Sequence, residues 1–160
     1  MTVNDYLAAS LMGSLGMLKM TIADMSDADL LMRPVPGANH PNWQIGHLIA
    51  AETGMMSQLG AKMPELPAGF AELYSKETAK IDDASKFATK DALMAQFEKT
   101  RSASAAFAQT MTAAQLAAPS PFAQFFPTNA DFVGLGAQHI AMHLGQIQVL
   151  RRKLGKPILF

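Results

Sequence analysis

The chain has no cysteine, which excludes disulfides, cysteine-ligated zinc and thiol catalysis by its own side chains. It has no surplus of either charge: thirteen Lys and Arg balance thirteen Asp and Glu among 160 residues. A nucleic-acid-binding face usually shows a basic excess. The one basic cluster, Arg151, Arg152 and Lys153 with Lys156 beyond, falls at an expected helix end, where cations complement the helix dipole, and is read as structural. No apolar run reaches the ~18 residues of a membrane span without a Gly, polar or charged interruption. The opening MTVNDYLAAS carries an acid and no basic stretch, unlike a secretory signal. A cytoplasmic protein is expected. Alternating patterns of β-branched residues are missing too, so strand signals are weak.

What remains is apolar and helical. Hydrophobic residues make up 49% of the chain and charged residues 16%, a composition that folds, at a length that suits one domain, 1–160, around one core. Four helical stretches stand out. The first runs from about Asn4 to Ala23, with Leu7, Leu11, Leu15, Leu18 and Ile22 spaced by three or four. SDADLLMRPVPG then reads as a turn region. The second stretch begins near Pro41, suited to a first helical position, and reaches about Leu59. The third spans about Asp91 to Thr110. The fourth opens at TNAD, residues 128–131, a capping box in acidic form, and ends at Leu154 before Gly155 and Pro157.

Four such helices predict an all-α four-helix bundle. The second and third are joined by roughly thirty residues, far more than the ~2–8 usual between antiparallel bundle neighbours. This connection either carries the chain back along the bundle, making those helices parallel, or forms a lid. Phe122, Phe125 and Phe126 in the 111–128 connection have three possible roles: pocket mouth, subunit contact or ordinary capping cluster, and the last is preferred.

The stretch HIAMHLGQIQVLRRKLGKP holds the chemistry. Phe132, Gly136, His139, His143, Ile147, Leu150 and Leu154 share one helical face, so both histidines point toward the core. Imidazoles at i and i+4 can present two nitrogens to one metal, and a buried neutral histidine with a hydrogen-bond partner is the alternative. On the second helix Ile45, Leu48, Ile49, Met55, Met56 and Leu59 form an apolar arc. His47 lies off that arc with Trp43, Ala51, Gly54 and Gln58, a small and mixed side suited to a cavity wall. If that side faces the fourth helix, three imidazoles converge, and three protein ligands leave a metal position open for catalysis. Ile140 stands where an HExxH protease needs its Glu, and neither His139 nor His143 belongs to a Glu-x-x-His pair of the di-iron bundles.

The segments RPVPGANHPNWQIGHLIAAE (33–52) and HIAMHLGQIQVLRRKLGKP (139–157) resemble the DinB/YfiT-like superfamily of metal-dependent helical bundles. The resemblance covers nearly the full chain in helix order. It implies an up-down-down-up four-helix bundle, a divalent metal (zinc or nickel) on His47, His139 and His143, and a homodimer. Related branches are thiol-dependent S-transferases and isomerases using low-molecular-weight thiols.

Other residues are assigned beside this. His40 is expected at the surface or in a helix-start role. Gln146 could reach the metal's water or a substrate, or pack between helices. Glu52 could pair with Arg33 or Arg101, a structural use that is preferred, or act as a base behind the ligands. The twelve methionines are pliable core filler. Two functions stay open. One is a mononuclear metalloenzyme acting on a small molecule by activated water or thiol, a hydrolase or thiol-dependent S-transferase. The other is a non-enzymatic, stress-related bundle that binds metal or ligand.

Overall fold

A computed structural model describes residues 1–159. Among them are seven α-helices: α1 Val3–Ile22, α2 Asp27–Leu30, α3 Pro41–Gln58, α4 Phe70–Leu73, α5 Lys90–Thr110, α6 Ala113–Ala117 and α7 Asn129–Lys153. No β-strand occurs among the described residues, only an isolated bridge from Pro119 to Thr128. No described helix is long and apolar enough to cross a membrane.

The four long helices lie within a residue or so of their expected bounds because their ends are chemically marked. Thr128 caps α7 reciprocally with Asp131, as TNAD predicts, and Thr2 with Asp5 does the same for α1. At the far end of α7, Gly155 takes φ +68°, and the Lys156 amide donates to the Arg151 carbonyl at 2.9 Å. That left-handed turn closes the helix as glycine permits. The supposed turn region SDADLLMRPVPG contains α2, because Ser26 and Asp29 form another capping box. The Thr112–Gln115 pair likewise starts α6.

Packing joins α1 and α3 each to both α5 and α7. Two apolar clusters result. The larger includes Leu15, Ile49, Phe97 and Ile140; the smaller includes Leu11, Met56, Ala108 and Val133. Between them on every long helix lies a polar layer centred on Arg101. Its Nη2 sits 2.6 Å from Glu52 Oε2 of α3 and donates to the Gly136 carbonyl of α7 at 3.2 Å. Its Nη1 donates to the Leu11 carbonyl and Ser14 Oγ of α1, both at 3.3 Å, and the guanidinium lies over the Phe97 ring. A Cβ on Gly136 would meet Leu11 Cδ2 at 2.8 Å, so a larger residue there would make the Leu11 side chain shift. Glu52 thus takes Arg101, while Arg33 pairs with Asp82.

The 60–89 connection is stitched to the start of α3. Trp43 Nε1 donates to the Ser75 carbonyl and Thr78 Oγ1, both at 3.2 Å, and Asn42 Nδ2 to the Ala88 carbonyl at 2.7 Å. The Tyr74 hydroxyl donates to Asn42 Oδ1 and accepts from the Ala88 amide. The basic cluster is also largely absorbed: Arg151 binds Asp24 and the carbonyls of Thr21 and Pro157, and Lys153 donates to the Arg33 carbonyl.

Replacing Arg101 with Met leaves Glu52 buried without its cation, a loss of about 3–5 kcal/mol. The double variant Arg101→Met/Glu52→Leu should recover most of that in urea unfolding. A double variant as unstable as the single one would show that the ion pair is not the source.

Candidate metal centre

The site is built by two helices. One turn of α7 separates His139 from His143, and their Nε2 atoms face each other at 3.3 Å. From α3, His47 closes the group, so that one ring nitrogen from each of the three lies within 4.8 Å of the others. In a tetrahedral zinc site with Zn–N of ~2.0–2.1 Å, neighbouring nitrogens stand about 3.3 Å apart. The α7 pair already has that spacing. His143 is buried, while His47 and His139 are half-buried and lie toward the solvent side.

Two of the three rings are held from behind. Trp43, one turn before His47, stacks on it with centroids 4.9 Å apart and planes 5° from parallel. The Tyr74 ring presses against α3 at Gly46, where a Cβ would come within 2.1 Å of it. For His143 the partner is Gln44, whose Oε1 lies 2.9 Å from Nδ1. The Gln44 amide is itself oriented, because its Nε2 donates to the Asn39 carbonyl at 2.6 Å. Oε1 therefore faces the imidazole, Nδ1 carries the proton, and the lone pair of His143 is left on Nε2, toward His139. A metal-ligating histidine needs that tautomer.

Burial disfavours charge on all three rings. It pushes His139 and His143 down from 6.5 to about 4. The nearby His47 and Arg101 add to the effect on His139, and His139 and His47 to that on His143. His47 is lowered as well, again chiefly by burial, with a hydrogen bond to the Tyr74 backbone working the other way. At neutral pH the cluster is a set of neutral nitrogen donors. Such a set suits a borderline divalent cation and not calcium or magnesium, which prefer oxygen.

The remaining assigned residues sort themselves by position. His40 is wholly buried, caps α3 by accepting the Trp43 amide on Nδ1, and points Nε2 at the Ile81 carbonyl, 3.2 Å away. It keeps the helix-start role and stays outside the cluster. Gln146 is exposed, one turn beyond His143 on α7; the glutamine that hydrogen-bonds a cluster histidine is Gln44. Sequence inspection missed Gln44 because it lies within the helix start, off the face of His47. The spacing Gln44-x-x-His47 signals nothing until α7 is packed against it. Glu52, engaged with Arg101, does not join the cluster.

Fold and site together define an all-helical protein with a three-histidine cluster that can hold a metal ion. Residues 13–147 match the family model of the DinB superfamily, and the chain belongs to that superfamily. It is similar in fold to a solved structure described as the conserved protein of a locus from Enterococcus faecalis. The TM-score is 0.68 at 15% identity, over 98% of this chain and 99% of that one. No curated protein matches the chain.

The lowered histidines make metal-free stability depend on pH. Between about 4 and 6.5 the unfolded imidazoles of His139 and His143 bind protons that the folded ones do not, so stability rises with pH through that window and levels off above it. The melting temperature of metal-free protein should fall on acidification from pH 7 to 4.5. In the His139→Gln/His143→Gln variant it should fall less; equal slopes would show that these rings do not carry the effect.

Proposed function

We propose that the chain is a mononuclear metal-dependent enzyme in which His47, His139 and His143 hold one zinc or nickel ion. Its substrate is a small molecule, attacked by activated water or by a low-molecular-weight thiol. The observation that carries this is the Gln44–His143 bond, which leaves the His143 Nε2 lone pair aimed at the His139 nitrogen, 3.3 Å away. A divalent ion held there supplies Lewis acidity, which makes water or a thiol nucleophilic near neutral pH.

The chain's own residues do the rest. Trp43, stacked on His47, keeps that ring turned toward α7. Gln44 keeps the Nδ1 proton of His143 in place. No carboxylate joins the three histidines among the described residues, so the nucleophile comes from water or thiol without a carboxylate base beside it. That keeps hydrolase and thiol-dependent S-transferase chemistry both within the proposal.

The bundle is proposed to run up-down-down-up. Support comes from paired positions: Leu11 and Thr21 of α1 meet Gly136 and Arg151 of α7 in the same order, and Asn42 and Glu52 of α3 meet Ala88 and Arg101 likewise. Asn4 and Lys19 of α1 meet Ala108 and Glu98 of α5 in the opposite order. A homodimer in the cytoplasm completes the proposal. The α1–α7 groove supports self-association: exposed Met17 lines it, and Gln148 lies buried there with neither amide atom partnered.

Elemental analysis of protein purified without a histidine tag should find about one zinc or nickel per chain. The His47→Ala/His139→Ala/His143→Ala variant should hold none, and Gln44→Met should bind zinc about 10–100-fold more weakly. Trp43, the single tryptophan, offers a fluorescence readout of the same titration. Unchanged metal content in the triple variant would overturn the assignment. Metal uptake without turnover of any water- or thiol-dependent substrate would favour the non-enzymatic binding protein. Sedimentation should return a mass of twice 17.2 kDa; a monomer at micromolar concentration would remove the homodimer.

A further inference from the structure

The faces of α3 and α7 that bear the histidines continue past them, and Met55, expected on the apolar arc of α3, borders the same space as Gln58. One turn before His139 on α7 comes Leu135, then Phe132; two turns beyond His47 on α3 comes Met55, then Gln58. These four side chains border one cavity of about 340 Å³, at the lower end of the ~300–1,000 Å³ of small-molecule sites. Its outer wall is Phe122, Phe125 and Phe126. The loop that carries them is pinned: Ser120 Oγ donates to the Phe126 carbonyl and accepts the Phe122 amide, and the Phe122 ring stacks on Phe132 at 6.0 Å. These phenylalanines therefore do more than cap a helix. Phe125, at 69% exposure, and Phe122, at 54%, remain largely open to solvent.

At 1.5 Å per helical residue the cavity lies about 6–10 Å along α7 from His139 and about 12–16 Å along α3 from His47. Between the two places α3 offers only Ala51, half-buried, and Gly54, exposed, and nothing lies within 4 Å of a Cβ placed on Gly54. On α3 no bulky side chain of this face stands between the histidines and the cavity.

We infer that this cavity is a second subsite of the same groove, receiving the apolar end of a substrate whose polar end is held at the three histidines. The substrate class is thus an amphiphile: a metal-ligating or thiol-reactive head bearing an acyl or aryl tail on the order of 6–16 Å long. The inference rests on the metalloenzyme reading and adds the tail to it. Apart from the Gln58 side chain at its edge, the subsite is lined by Met and Leu side chains and four phenylalanines, so it selects by length and shape more than by hydrogen bonds. Met55 at its inner end lets it adapt.

The test is a series of straight-chain hydroxamates from acetyl to decanoyl, titrated calorimetrically into zinc-loaded protein. Affinity should rise about four-fold per added methylene, the increment for burying one CH2, until the tail fills the cavity and the gain stops. In Leu135→Trp, whose indole occupies the cavity, the series should be flat, with zinc uptake as the check on folding. Phe125→Ser serves as a second variant, since this exposed side chain can be replaced without opening the core, and should reduce the slope. A flat series in the wild type, or equal slopes in wild type and both variants, overturns the subsite while zinc binding stands. Failure to take up zinc instead removes the metalloenzyme reading, and the subsite with it.

Discussion

One guanidinium ties the four long helices together. Arg101 of α5 touches α1 through Leu11 and Ser14, α3 through Glu52 and α7 through the Gly136 carbonyl. Arg101 is fully buried and Glu52 nearly so. Burial pushes the Glu52 carboxyl up, and the facing Arg101 charge opposes that shift. A buried ion pair is a weak contributor to net stability, but its geometry is demanding. Here the demand falls on register: sliding α3 or α5 by one turn would strand a charge, and sliding α1 or α7 would take acceptors from the guanidinium. The same layer divides the core into its two apolar clusters.

The candidate metal centre inherits that register. Glu52 and His47 stand on one helix, Gly136 and His139 on another, so the layer that aligns α3 with α7 through Arg101 also sets His47 opposite the α7 histidines. Two more contacts refine the placement: Trp43 flat against His47, and Gln44 against His143. Both residues lie in the first turn of α3, and both are held by partners elsewhere in the chain. Trp43 is anchored by Ser75 and Thr78 of the long connection, Gln44 by Asn39. The connection that joins α3 to α5 is thereby part of the site's support, which explains why so long a segment is stitched down by side chains.

Much of this was legible in local sequence. Leu7, Leu11, Leu15 and Leu18 at helical spacing, Pro41 at a helix start, TNAD and the Gly155 stop each act within a turn or two of chain, and the observed helices follow them. The α7 histidines are equally local, since four residues make one turn. The short helices α2 and α6 escaped attention, although their capping boxes obey the same chemistry as TNAD. Their flanking prolines and their brevity hid them. Glu52 was assigned a cationic partner but with two candidates, because both Arg33 and Arg101 are far from it in sequence.

By itself, then, the sequence determined that the chain is helical, where its long helices begin and end, and that two imidazoles share a face of the last one. These are properties of φ, ψ and periodicity, settled within a few residues. Only the tertiary structure decided which arginine meets Glu52, that Gln44 contacts His143, and that Phe122, Phe125 and Phe126 wall a cavity with Phe132 and Leu135. Each of these joins residues from different helices. Their proximity comes from how whole apolar faces pack around one buried ion pair, and no local window of sequence contains that information.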